Sequence, residues 1–138
     1  MTRMLPILAS LGVTLVAAPA AADDIREQRV QFERGATSAF VEDRITGYES
    51  VDYLLGAAKG QYMNVSMATD NGANYFNILA PGETEVAMFN GSIADNQYEG
   101  VLPASGDYRV RVYMMRSAAR RDEVANYRLE MIITESGE

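Results

Sequence analysis

Hydrophobic and polar residues alternate along most of this chain. From Gln61 to Thr69, Met63, Val65 and Met67 fall on one side and Tyr62, Asn64 and Ser66 on the other, which is the period-two pattern of a strand with one buried face. Asp107 to Met115 repeats it, with Tyr108, Val110, Val112 and Met114 inward and Arg109, Arg111 and Tyr113 outward. Asn126 to Thr134 does so through Tyr127, Leu129, Met131 and Ile133, and Glu49 to Ala57 through Val51, Tyr53 and Leu55. Further strands are predicted at Arg29 to Glu33, Ala39 to Thr46, Tyr75 to Ala80, Glu85 to Phe89 and Gln97 to Leu102, although Asp43 interrupts the apolar side of its own. Lys59-Gly60, Asp70-Asn71-Gly72, Pro81-Gly82, Asn90-Gly91 and Ser105-Gly106 supply the turns between them.

Helix-period stretches are nearly absent, so the pattern predicts an all-β fold: a single-domain antiparallel β-sandwich of about eight short strands. The consecutive strands Asp107 to Met115 and Asn126 to Thr134 are expected to pair antiparallel. Arg109, Arg111, Arg128 and Glu130 would then share one solvent face, with Glu130 near an arginine of the other strand. The acidic leader from Asp23 to Glu27 is expected to be loose.

The start of the chain follows another rule. Arg3 precedes an apolar run from Leu5 to Ala18, and Pro19 and three alanines follow. The run is too short for a membrane span of about 20 residues, and Ala20 and Ala22 suit cleavage ahead of Asp23. Residues 1–22 therefore read as a secretory signal and 23–138 as the folded domain, with no membrane anchor after cleavage. A bacterial periplasm is the simplest destination.

Composition narrows the chemistry. Histidine, cysteine and tryptophan are all absent, which removes Ser-His-Asp and Cys-His catalysis, imidazole or thiolate zinc sites, His- or Cys-held haem and any disulfide. No cofactor is expected, and no acid, base or nucleophile constellation points to an enzyme. The net charge of −7 becomes more negative once Arg3 is removed, which suits a basic protein partner and not nucleic acid. Asp70-Asn71 and Asp95-Asn96 lack the ligand density of a calcium loop, and Glu42-Asp43 and Glu83 with Glu85 read as surface charge, not a glycosidase pair.

One connection stands apart. Arg116 to Ala125 is about ten residues, against two to five in the usual hairpin. Ser117 is expected to cap a helical turn built on Ala118-Ala119-Arg120-Arg121 and so fix a fan of guanidinium groups. Arg116, Arg120 and Arg121 then form either a clamp for a carboxylate or phosphate, or a solvated loop in which Asp122 and Glu123 neutralise Arg121. Tyr48, at a strand entry after Gly47, is either a contact residue or a cover for the sandwich edge, whereas Tyr53 and Tyr127 are core by alternation.

Thr46-Gly47-Tyr48, Asp52-Tyr53, Ala58-Lys59-Gly60-Gln61, and Leu102-Pro103-Ala104-Ser105-Gly106-Asp107-Tyr108 with Arg111-Val112 resemble the periplasmic inhibitors of g-type (goose-type) lysozyme. The run Arg116 to Arg121 resembles their arginine-bearing loop, and the likeness extends from about Val30 to Ile133. The segments around Gly60-Gln61 and Ser105 to Tyr108 also resemble the pre-peptidase C-terminal β-sandwich domains of secreted enzymes. The first resemblance implies an inhibitor that inserts loops into the lysozyme active-site cleft, with Tyr48, Arg116, Ser117, Arg120 and Arg121 as partner-binding residues. The second implies a carbohydrate- or calcium-binding envelope module without catalysis.

Overall fold

The computed structural model describes residues 25–135, so the signal reading of residues 1–22 lies outside the described part. Nine strands and one helical turn follow in order: β1 Ile25–Arg29, β2 Ser38–Thr46, β3 Ser50–Ala57, β4 Tyr62–Thr69, β5 Asn74–Leu79, β6 Phe89–Asn90, β7 Gln97–Val101, β8 Gly106–Met114, α1 Arg116–Arg120 and β9 Val124–Thr134. They form two sheets, β1-β3-β8-β5-β6 and β2-β9-β4-β7, with every pairing antiparallel except β1 with β3. The all-β sandwich expected from the alternation is the observed fold.

The inward residues of the four clearest strands are the core. Val51, Tyr53 and Leu55 of β3 lie opposite Val112, Val110 and Tyr108 of β8, and Phe76 and Ile78 of β5 extend that layer. Met63, Val65, Leu129, Met131 and Ile45 close it from the second sheet. Fully burying each large side chain contributes about 1.5–3 kcal/mol, which lets a chain without disulfides hold together. Tyr53 and Tyr127 meet across the core, hydroxyl to hydroxyl at 2.7 Å.

β8 and β9 do not pair. β8 is central in the first sheet and β9 in the second, because α1 and its flanks carry the chain across the sandwich instead of folding it back as a hairpin. Arg109 and Arg111 therefore lie outside one sheet, and Arg128 and Glu130 outside the other. The partner of Arg109 and Arg111 is Asp52, only 1% exposed. Its oxygens accept from Arg111 Nε at 2.7 Å, Arg111 Nη2 at 2.9 Å and Arg109 Nη1 at 3.0 Å, and a carboxylate so buried requires such pairing.

The leader is a strand in part: Ile25, Arg26 and Glu27 belong to β1, which ends at Arg29 where a strand from Arg29 to Glu33 was expected. Charge draws it alongside β3. Arg29 grips Asp107 through two hydrogen bonds (3.1 and 2.7 Å), Glu27 accepts from Arg109 at 2.6 Å, and Arg26 reaches Asp43 of the other sheet at 3.4 Å. Val30 N donates one last bond to Leu54 O of β3, and Val30 and Phe32 then pack against the core. Of the strand expected at Glu85 to Phe89 only Phe89 is in β6, since the backbone first reaches the β5 edge where Met88 N donates to Ile78 O and keeps to it as far as Gly91 N, which donates to Phe76 O.

Candidate functional site

Three connections meet at one end of the sandwich: the turn from Thr46 to Ser50, the turn from Thr69 to Asn74, and the α1 crossing. Gly47 N donates to Glu123 O, Met115 N to Ala73 O, and Asn71 Nδ2 to Glu123 Oε1 and Val124 O. Gly47 is required here. Its φ is +63°, and a Cβ would lie 3.1 Å from Asp122 Oδ1 and 3.5 Å from Ala119 O, so the Tyr48 turn seats directly on the C-terminal end of α1.

The same contact orients the helical turn. Ala118 and Ala119 are buried against the fold, which leaves Arg116, Ser117, Arg120 and Arg121 facing out. Arg116 and Arg120, four residues apart, share a face of the turn. Neither has a hydrogen-bond or ion-pair partner among the described residues. Ser117 is not the cap. The N-cap is Met115, with no side-chain cap bond, and Ala118 N and Ala119 N both donate to Met115 O. The helix starts straight from β8, so Ser117 is already inside its first turn.

Arg121 differs from the other two arginines. Its Nε donates to Glu123 Oε2 at 2.9 Å, as in the solvated-loop alternative, while the other Glu123 oxygen accepts from Asn71 at 3.0 Å. These bonds, that of Asn71 first and then that of Arg121, hold the Glu123 carboxyl below its ordinary range. Arg121 thus braces the loop, and on this loop Arg116 and Arg120 are the cations without a partner among the described residues.

Tyr48 is 48% exposed and faces a cleft of about 460 Å³ that Arg116 borders and Ile25, Arg111, Tyr113 and Met115 help line. The sequence thus brought Tyr48 and Arg116 to one place, while Arg120 lies beside it on the helix. Ile25, Tyr113 and Met115 were missed. The outward parity of Tyr113 and Met115 along β8 was the available signal, and Ile25 had none because its segment read as loose.

A wider groove of about 740 Å³ runs over the outer face of the second sheet, between Glu42, Arg44, Ala68, Asp70, Asn126 and Arg128. Its polar groups are largely turned on one another: both Asp70 oxygens accept from Asn126, by N and Nδ2 at 2.9 Å each, and Arg128 lies over the Phe40 ring at 4.1 Å. The backbone N–H of Asn126 is the chief reason that the Asp70 carboxyl is held below its usual value. Asn96 likewise spends its amide on β5, accepting from Phe76 N and donating to Asn74 O.

Fold and site together define a β-sandwich that presents at this end an exposed tyrosine and two guanidinium groups, Arg116 and Arg120, without partners among the described residues, on connections anchored in its core. No protein-family model matches the chain. The inhibitor of g-type lysozyme from Escherichia coli K12 is 30% identical over 107 residues, covering 75% of this chain and 78% of that protein. The crystal structure of Aeromonas hydrophila PliG, a periplasmic inhibitor of g-type lysozyme, superposes with a TM-score of 0.76 at 40% identity, over 81% of this chain and 99% of the other. This chain belongs to the family of g-type lysozyme inhibitors, and with it to the periplasm and to proteins without catalysis of their own. The pre-peptidase C-terminal domain of a Bacillus anthracis collagenase, 12% identical with a TM-score of 0.53 over 84% of this chain and all of that domain, shares the fold alone.

Proposed function

We propose that this protein, released by removal of residues 1–22, binds a g-type lysozyme and blocks its active-site cleft with the end of the sandwich that carries Tyr48 and α1. Arg116 and Arg120 pair with carboxylate at the catalytic centre, Tyr48 packs where sugar rings would lie, and Ser117 contacts the enzyme between them. Arg121 holds the loop in shape. The observation that supports this reading is that Arg116 and Arg120 have no partner among the described residues on a turn whose alanines are buried. A cation left free on an acidic protein by a rigid support is set to pair with an external anion, and little ordering remains to be done on binding.

Lysis of bacterial cell walls by a g-type lysozyme, titrated with parent and Arg116→Ala/Arg120→Ala protein, tests the assignment. The double variant should keep its melting temperature, because exposed charges contribute little to stability, and should lose inhibition by a factor of about 30 or more, from about 2–5 kcal/mol of interface pairing. A double variant that inhibits like the parent shows the arginines to be idle.

A further inference from the structure

Three of the exposed large hydrophobics, Ile25 at 41%, Met115 at 42% and Tyr48 at 48%, lie in one cleft. They come from three separate elements. Ile25 opens β1 and registers with Ser50, Tyr48 sits on the β2–β3 turn, and Met115 links β8 to α1. Tyr113 backs the cleft, its ring 6.4 Å from that of Tyr75, and burial pushes its hydroxyl up from the ordinary value. Arg111 on the wall is already held by Asp52, so Arg116 at the mouth is the cation left for a ligand.

β1 is an unusual wall. All five of its side chains are exposed, so no hydrophobic burial fixes it. Its ladder to β3 and the pairs Arg29–Asp107, Glu27–Arg109 and Arg26–Asp43 hold it in place. Such a strand adds nothing to the core, yet it sets Ile25 beside Tyr48.

We propose that β1 is part of the enzyme-facing surface, and that Ile25, Tyr48, Tyr113 and Met115 form a seat for an apolar side chain of the lysozyme cleft that lies next to the carboxylate paired with Arg116. The inference rests on the inhibitor reading and extends it to a strand that carries none of the arginines. Charge complementarity selects the occupant: an apolar floor beside one free guanidinium accepts an apolar group flanked by an anion and rejects one flanked by a cation. The seat is continuous with the surface of Tyr48 and Arg116, so one docking event fills both. Apolar contacts sealed from water govern how long a complex lasts more than how fast it forms.

The experiment measures association and dissociation of a g-type lysozyme on immobilised protein, together with melting temperature. Ile25→Asp and Met115→Ala should each raise the dissociation rate about tenfold or more with association nearly unchanged, Ile25→Val should behave as the parent, and Ile93→Asp, at an apolar side chain 81% exposed outside the cleft, should change nothing. Equal dissociation of Ile25→Asp, Met115→Ala and parent would overturn the seat while leaving the inhibitor reading standing if Arg116→Ala still weakens binding. A parent that does not bind any g-type lysozyme overturns the reading beneath it. Because Met115 stands on a different element from Ile25, detachment of β1 cannot account for a loss seen in both variants.

Discussion

At the scale of single residues, the sandwich is fastened by polar groups where alternation led one to expect only apolar packing. Tyr53 and Tyr127 were legible as core from their parity, but their hydroxyl contact was not, since parity states which face a residue occupies and not which sheet lies opposite. Burial raises both phenols, that of Tyr127 furthest, so the pair stays neutral and hydrogen-bonded. Tyr127→Phe leaves the Tyr53 hydroxyl buried without its partner and should cost about 1–3 kcal/mol, while removing both hydroxyls should cost less than the two single changes together. Urea unfolding of the two single variants and the double variant checks this, and strictly additive losses would show that the hydroxyls act independently. Asp52 was similarly hidden. It reads as an outward charge, and only the fold reveals that Arg109 and Arg111 cover it.

At the scale of elements, strand positions were legible and strand partners were not. The four clearest alternating segments became β3, β4, β8 and β9 with the expected faces inward, because a face buried along a whole strand leaves a repeated mark. Pairing leaves none when the connection is an arch: the long link after β8 had the length and a helical turn in view, but nothing in Arg116 to Ala125 says whether it crosses between sheets. Gly47 joins that arch to the Tyr48 turn. Gly47→Ala should therefore lower stability by about 1–2 kcal/mol from the left-handed backbone alone and also weaken lysozyme inhibition as Tyr48 is displaced. Gly60→Ala is the comparison, with φ +92° and open space around the position. Its thermal loss should be similar and its inhibition that of the parent, and equal inhibition by both variants would show that the Tyr48 turn tolerates the shift.

For the molecule as a whole, charge was legible in amount and sign, whereas its arrangement into internal pairs, with Arg116 and Arg120 outside them, required the fold. The pairs set the response to pH. The carboxyls of Asp70, Asp107 and Glu123 are held low, by Asn126, by Arg29 and by Asn71 with Arg121 respectively. Their folded values lie below the unfolded ones, so the stability they contribute is fully present above about pH 5 and is lost as the pH falls through the folded values. Tyr53 and Tyr127 work in the opposite direction: with raised folded values their contribution is present below about pH 10 and is lost as the pH rises further. Melting temperature should be level from about pH 5 to 9 and fall on both sides, and a thermal-melt series across pH reads it directly.

The sheet order also bears on how such a chain reaches its compartment. β9, the last of the described strands, is the one between β2 and β4, and β8 stands between β3 and β5. A chain emerging from the ribosome has neither central strand until its final third is made, so the earlier strands can form only the pairs β1–β3, β4–β7 and β5–β6, and folding of such non-local sheets is slow in any case. The polypeptide should therefore fold late in its synthesis, which would suit export to the periplasm in the unfolded state. The sandwich closes once the arch through α1 has delivered its second strand, so the end that carries Tyr48 and α1 is completed in that same step.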